Sequence, residues 1–355
     1  MPRSTRIEID LGAVLHNATV MRAAAGDKHV MAVVKADAYG HGAVPVATHI
    51  EEAVDALAVA LTEEAVTLRE AGVTKPILVL EGSHCAEDLA LCVQLNLWPT
   101  LHRPDQLDWC HGLTKKPDRV WLKIDTGMHR LGFQPSETQA ALLRLRSDGI
   151  EDVIAMSHLA AAETPDLTLS AQQMASWDET VEGWAGDASL HNSAATRQDI
   201  TARSEWVRIG YALYGGQIDG IDVDTRLKPA MTLYSSVLAT RRVAAGDSVG
   251  YGGRWIAARD SIIATVPIGY GDGYPWAAAD GTPVAVGNDI APLAGRVSMD
   301  MITIDVTDCA EVAPNTPVTL WGEHPHIDTV ARHSGTIGYE LMTRLTQRTP
   351  RYYIQ

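Results

Sequence analysis

The chain has 355 residues, 46% of them hydrophobic, which is ample for a folded core and points to about two domains or one barrel with an addition. A formal net charge of −15 argues against nucleic acid or an anionic membrane as partner, because both require a basic surface. Cys85, Cys92, Cys110 and Cys309 make no CxxC pair, no apolar run is long enough to span a membrane, and MPRSTRIEID lacks the apolar core of a signal peptide, so the expected location is the cytoplasm.

In chain order, Thr5 to Ile9 alternates as a short strand, and Asp10 caps a helix over LGAVLHNATVMRAAAG that closes at Gly26. The run VMAVVKADAYGHG, Val30 to Gly42, is a buried strand rich in β-branched residues followed by a turn, with Lys35 where the strand stops. The pattern then alternates. A helix from Val44 to Val54 precedes the apolar Ala56–Ala60; Thr62 to Glu70 is a helix ended by Gly72; PILVL (76–80) is a strand, 85–95 a helix and WPTLH (98–102) a weak strand. A helix near Pro104 to Leu113 leads to the strand RVWLKID (119–125), and the next helix has Ser136 and Gln139 spaced as a capping box. DVIAMSH (152–158), a long helix over Ser170 to Trp184, ASLHN (188–192), a short helical SAATRQD and WVRIG (206–210) complete the rhythm. Eight strands separated by helices over roughly 180 residues match a closed parallel (β/α)8 barrel better than an open sheet.

After Gly216 the pattern changes. MTLYSSVLATRRV, SIIATVPIG, TPVAVG, DMITIDV and PVTLWG are strands joined by turn residues, with one helix at HIDTVARHSG. The expected fold class is therefore α/β: an N-terminal barrel over residues 10–230 and a C-terminal, mainly antiparallel β domain over 231–355, which strand 1–9 joins.

Sites on such barrels lie at the carboxyl ends of the strands. Lys35 ends the first strand, Lys123 and Asp125 the fifth, His158 the sixth, Asn192 and Ser193 the seventh, and Arg208 and Gly210 the eighth. A lysine partly desolvated at a strand end loses some preference for its charged form and can attack carbonyls to form a Schiff base. The same spacing also fits a lysine that snorkels into solvent. A strand-end histidine is often a hydrogen-bonded core residue, but so many polar groups on one rim point to chemistry.

VVKADAYGHG resembles the signature around the pyridoxal-phosphate lysine of alanine racemases. The resemblance continues through DTGMHRLGF (125–133), VGYGGRW (249–255), IGYGDGYPW (268–276), GRVSMDMITID (295–305) and TIGYELMTRLTQRTPRY (336–352), in the family's order and across both domains. It implies pyridoxal 5'-phosphate as cofactor, with Lys35 carrying it as a Schiff base. Tyr39, Ser193, Gly210, Tyr211 and Tyr339 are then cofactor-binding, holding the phosphate, Asn192 is also cofactor-binding, and His158 stacks on the ring. Arg208 faces the ring nitrogen; a guanidinium stays protonated, so that nitrogen does not, and a weaker electron sink favours prompt reprotonation.

Racemisation needs a proton to leave one face of the α-carbon and another to arrive on the opposite face. The resemblance gives Lys35 one face and Tyr251 the other, with a hydrogen-bond network through His158 and Arg208. By spacing alone Tyr251 is equally an exposed hairpin tyrosine, and Arg130 a solvated loop charge. The resemblance gives Arg130 and the Met299 amide to the substrate carboxylate, and Tyr270, Asp300 and Lys123 to entrance or support. Lys123 shares a strand face with Asp125, and in some relatives the matching lysine is carbamylated and braces the arginine. His129 stands where many relatives have asparagine. His324 and His326, with His333, read as a loop and helix surface, and no metal is expected.

The resemblance thus implies a two-base isomerase that interconverts L- and D-alanine, for peptidoglycan precursors or for D-alanine breakdown. It implies a homodimer with shared sites, in which the β-domain residues come from the second subunit. An amino-acid decarboxylase of the same fold and a non-catalytic pyridoxal-phosphate-binding protein are the alternatives; the first gives opposed Lys35 and Tyr251 no clear purpose, and the second resembles the barrel alone, so the large β domain weighs against it.

Overall fold

The computed structural model describes residues 3–164, 166–198, 200–217 and 226–355. Met1, Pro2 and Asp199, which fall in the expected N-terminal segment and in the short helix after Asn192, lie outside the described residues. The chain divides into two compact units. One runs from Leu15 to Leu213 with the described part of Gln217–Leu227; the other comprises the described residues up to Val14, Tyr214–Gly216 and Lys228–Gln355. No helix among the described residues is long and apolar enough to cross a membrane.

Strand β1 (Arg6–Asp10) opens the chain, and the helix Leu11–Ala25 follows, its start closed by the Ala13 N–H donating to Asp10 Oδ1 at 2.8 Å. In the first unit β2 (His29–Val33), β3 (Ala56–Val59), β4 (Ile77–Val79), β5 (Trp98–Leu101), β6 (Val120–Lys123), β7 (Val153–Met156), β8 (Ala188–Ser189) and β9 (Trp206–Ile209) pair in the order β8-β7-β6-β5-β4-β3-β2-β9. The pairings are parallel, with Met31 opposite both Ala56 and Arg208. β3, β4, β7 and β9 are buried at every residue, which is why β3, β4 and β7 read as unbroken apolar runs and not as alternating ones, while β9 buries one charge, Arg208. The seam between β8 and β9 is spanned by the Arg208 N–H on His191 O (2.9 Å) and by the Ser204 hydroxyl accepting from the Leu190 N–H (3.0 Å). The result is a nearly closed eight-stranded parallel barrel.

At the amino ends of these strands Trp98, Trp121 and Trp206 meet, with ring centroids 5.6–6.2 Å apart, and His29 stacks on Trp206 at 4.6 Å. The Arg119 guanidinium lies 4.5 Å over the Trp98 ring and pairs with Asp152 at 2.7 Å. This aromatic floor leaves the carboxyl end as the place for polar chemistry.

In the second unit β10 (Met231–Ser236), β11 (Ala239–Val243), β12 (Ser248–Val249), β13 (Trp255–Ile256), β14 (Ser261–Val266), β15 (Pro283–Val286), β16 (Asp289–Pro292), β17 (Ile302–Asp305), β18 (Pro317–Trp321) and β19 (Arg351–Ile354) form three sheets. The largest has the order β16-β15-β18-β10-β1-β19, so the first strand joins this unit, antiparallel to β10 and parallel to β19. β10 alternates buried and half-buried residues, the mark of a sheet with one packed face.

Three local expectations change. The helix Pro135–Ser147 starts from Gln134, whose N–H is bound by Glu137 Oε2 at 2.9 Å, so Pro135 at the first turn sets the start and the Ser136/Gln139 box does not form. MTLYSSVLATRRV is two strands, broken at Val237 and Leu238. A second helix, Gly338–Arg344, accompanies Ile327–His333; its opening Thr-Ile-Gly reads as a turn. His326 is the N-cap of Ile327–His333, accepting from the Asp328 N–H at 3.3 Å.

Candidate active site

The carboxyl rim of the barrel gathers the predicted residues of the first unit. Lys35 follows β2 and is half-buried. Burial and then Arg130 hold its ammonium below the usual lysine value, while Glu81 and Glu64 pull it back up. The next four residues, Ala36, Asp37, Ala38 and Tyr39, turn left-handed, with φ of 52–54°. That turn brings the buried Tyr39 phenol against Gly210: a Cβ on Gly210 would stand 2.6 Å from the hydroxyl, so only glycine admits it. Burial pushes the Tyr39 phenol up to about 12, leaving it a protonated donor. Ser193 Oγ accepts from the Gly210 N–H at 2.9 Å, and Asn192 Oδ1 accepts from the Ala195 N–H at 3.0 Å. Tyr211, next to Gly210, is buried.

Arg208 is buried at the end of β9, and both of its terminal nitrogens are engaged. It donates to Ser189 Oγ (2.5 Å) and O (3.1 Å), Ser157 O (2.7 Å) and His158 Nδ1 (3.0 Å). Burial lowers it only to about 10, so it is a cation at neutral pH. Because a guanidinium can only donate, His158 Nδ1 is the acceptor and its proton sits on Nε2. Burial, then Arg208, Lys123, Arg130 and Lys35, hold His158 well below the usual histidine value and keep it neutral.

The loop after β6 is pinned at both ends by the Asp125 N–H on Phe133 O and the Phe133 N–H on Lys123 O, each 2.9 Å. A Cβ on Gly132 (φ +130°) would lie 2.6 Å from Asp125 N. Inside the loop Asp125 accepts from the N–H groups of Gly127 and His129 (3.0 Å each) and pairs with His129 Nδ1 at 3.1 Å. This fixes Arg130, whose exposed guanidinium makes no hydrogen bond or ion pair among the described residues. Lys123 is pushed down to about 7, by burial first and then by Arg208 and Arg130, against a smaller upward pull from Asp125.

In the second unit Tyr251 begins a short turn between β12 and β13 and is 70% exposed. The turn is anchored by Arg254, which pairs with Asp280 at 2.9 Å, and Asp280 in turn accepts from the Gly295 N–H at 2.8 Å. The Tyr270 turn is clasped to the 295–301 run by its own N–H on Ser298 O (3.1 Å) and by the Gly271 N–H on Met299 O (2.8 Å). Arg348 ties Asp300 (2.7 Å) to the buried Asp272 (3.5 Å). Tyr339 lies half-buried in the helix Gly338–Arg344.

Sequence reasoning missed Ser157 and Ser189, which aim Arg208, and Glu64 and Glu81, whose charges reach Lys35. Serines inside the otherwise apolar VIAMSH and ASLH were the available signal. As a whole the rim offers two amines of lowered basicity, Lys35 and Lys123, the guanidinium cations of Arg130 and Arg208, and a cradle of Tyr39, Ser193 and Gly210. Such a set suits an aldehyde that carries a phosphate, together with a carboxylate substrate.

The family model described as alanine racemase, N-terminal domain, matches residues 9–218, and that of the C-terminal domain matches 230–353. An alanine racemase from Alteromonas mediterranea is 44% identical over 353 residues, 99% of each chain. The crystal structure of the biosynthetic alanine racemase from Pseudomonas aeruginosa superimposes with a TM-score of 0.95 at 41% identity, covering 99% of this chain and 100% of that one. The alanine racemase from Bartonella henselae, described with covalently bound pyridoxal phosphate, gives a TM-score of 0.90 at 30% identity, covering 99% and 100%. The rim residues and these likenesses along the whole length agree: the chain belongs to the alanine racemase family.

Proposed function

We infer that the protein interconverts L- and D-alanine as a pyridoxal-phosphate-dependent racemase. The observation that carries this is the rim itself, where a lysine of lowered basicity, a protonated phenol and a buried arginine held through both terminal nitrogens surround one cradle in a chain of this family. The barrel, residues 10–230, holds the cofactor, and the β domain, 231–355 with strand 1–9, supplies the second base and the entrance.

When bound, pyridoxal 5'-phosphate supplies a conjugated ring that makes the substrate's α-proton acidic. Tyr39, Ser193, Gly210, Tyr211 and Tyr339 would hold its phosphate, with Asn192 beside them in the cofactor site. Arg208, held by Ser157, Ser189 and His158, is the residue that would meet the ring nitrogen, and as a guanidinium that stays protonated it would leave that nitrogen without a proton. His158, neutral, relays position and not charge. Arg130 and the Met299 N–H bind the substrate carboxylate, so the α-hydrogen and not the carboxylate faces the base. Lys35 Nζ takes or gives the proton on one face, and the Tyr251 phenol serves the other. Tyr270, Asp300 and Lys123 shape and brace the approach.

Tyr251 comes from a second copy in a two-fold dimer. Support comes from the β unit, where Tyr251, Ile256, Met299, Ile337 and Trp276 are all at least half exposed, large side chains that a partner would cover. The free thiols at Cys85, Cys92, Cys110 and Cys309 suit a reducing cytoplasm.

Incubation with L-alanine in deuterated water is the test. The expected result is loss of optical rotation with α-deuterium incorporated, and borohydride reduction that leaves the cofactor on the Lys35 peptide. Carbon dioxide release would assign the decarboxylase instead, and label on another lysine would overturn the role of Lys35.

A further inference from the structure

The backbone leaves Lys35 through four consecutive non-glycine residues in the left-handed region, which L-residues resist and which persists only where the surroundings over-determine it. Part of that determination is local. The Ala38 N–H reaches Val34 O (2.9 Å), the Gly42 N–H reaches Asp37 O (2.9 Å), and the Ala43 N–H reaches Asp37 Oδ1 (2.7 Å). The first residue of the turn, Ala36, is held from elsewhere, by Glu64 Oε1 at 2.6 Å. Glu64 stands in the first turn of the helix Thr62–Glu70, and its Oε2 accepts from the N–H groups of Ala60 (2.8 Å) and Leu61 (3.2 Å), closing the start of that helix. One carboxylate therefore ties the exit of β3, the start of a barrel helix and the first peptide after the lysine. Its charge also reaches the Lys35 ammonium, together with that of Glu81 and against that of Arg130. Three N–H donors converge on it, and among side chains only a carboxylate offers two accepting oxygens with no donor of its own to turn against them.

We propose that Glu64 is a positioning residue for Lys35: by gripping the Ala36 N–H it keeps the left-handed turn wound and so fixes the line along which the lysine amine meets the substrate. It touches neither substrate nor cofactor. The proposal deepens the function inferred above and takes from it only that Lys35 is the working amine.

The test is amide hydrogen exchange on the full-length, cofactor-free protein, comparing wild type, Glu64→Ala and Glu64→Gln, followed by kinetics after the cofactor is restored. In Glu64→Ala the amides of the segment 34–42 should exchange about tenfold faster or more, the loss expected for a bond to a charged acceptor, while the segment around Trp121 keeps its protection. Glu64→Gln has one accepting oxygen where two served, so exchange should rise in 34–42 or at 60–61. With cofactor, kcat for alanine in Glu64→Ala should fall about tenfold or more while KM stays within about twofold, because Arg130 is untouched and only the amine is displaced. Wild-type exchange in 34–42 for a folded Glu64→Ala overturns the proposal, as does wild-type exchange in both segments of Glu64→Gln should the alanine variant not fold. A rise in KM with kcat unchanged also overturns it. If exchange responds as stated but the wild type racemises nothing, the inferred activity fails and the clamp stands.

Discussion

Lys123 carries an amine pushed down to about 7, buried beside Arg208 and Arg130, with no hydrogen-bond acceptor of its own among the described residues. A neutral amine in that position adds carbon dioxide readily. The nitrogen–carbon bond forms, one proton leaves to solvent, and the resulting carbamate anion faces two guanidinium groups that stabilise it. Carbon-13 bicarbonate should therefore give a carbamate resonance in the wild type that is missing from Lys123→Met. The signal should fade as pH falls through about 7, because the ammonium form cannot react. A spectrum without that resonance would leave Lys123 as a bare brace. Without carbon dioxide the sign for stability also follows. The folded value lies below the ordinary 10.5, so the unfolded chain takes up the proton first as pH falls from 10.5 to about 7. Wild type should lose stability relative to Lys123→Met across that window, measured by urea unfolding at several pH values.

At the scale of elements, the left-handed turn after β2 is where local preference and fold disagree. Each non-glycine residue there costs roughly 1–2 kcal/mol, whereas glycine adopts the conformation freely and loses roughly 0.5–1 kcal/mol of chain entropy. Ala36 is exposed, so its methyl group contributes little packing. Ala36→Gly should thus stabilise the protein by up to about 1 kcal/mol, and a thermal melt showing clear destabilisation would contradict the strain. The turn itself was not legible, because Ala-Asp-Ala-Tyr carries no glycine to announce positive φ, and Glu64 read as one more acid on a helix surface. The rim residues were legible for the opposite reason. In a parallel barrel every strand ends on the same side, so knowing where the apolar runs stop places Lys35, Lys123, His158, Asn192 and Arg208 together without knowledge of any contact. Cap chemistry was less readable, as Pro135 displaced the Ser136 box and Thr-Ile-Gly hid the helix Gly338–Arg344.

For the whole molecule, most of the large apolar side chains left in water among the described residues belong to the β unit; the barrel adds Leu61, Leu143, Leu167 and Leu169. Racemisation should accordingly depend on association. Sedimentation should show a dimer, and specific activity should decline on dilution as that dimer dissociates. A monomer active at full rate would refute the shared site. Mixing an inactive Lys35→Ala chain with an inactive Tyr251→Phe chain should restore activity, since every heterodimer of the two pairs the intact Lys35 of one chain with the intact Tyr251 of the other in one of its two sites. The tryptophan floor has a further consequence. Trp121 and Trp206 are almost wholly enclosed, whereas Trp276 is half open to solvent. A small collisional quencher such as acrylamide will therefore dim the outer indole at once and leave the enclosed indoles, Trp177 and Trp321 among them, bright until their units open, so the protein's own ultraviolet emission reports the integrity of both interiors.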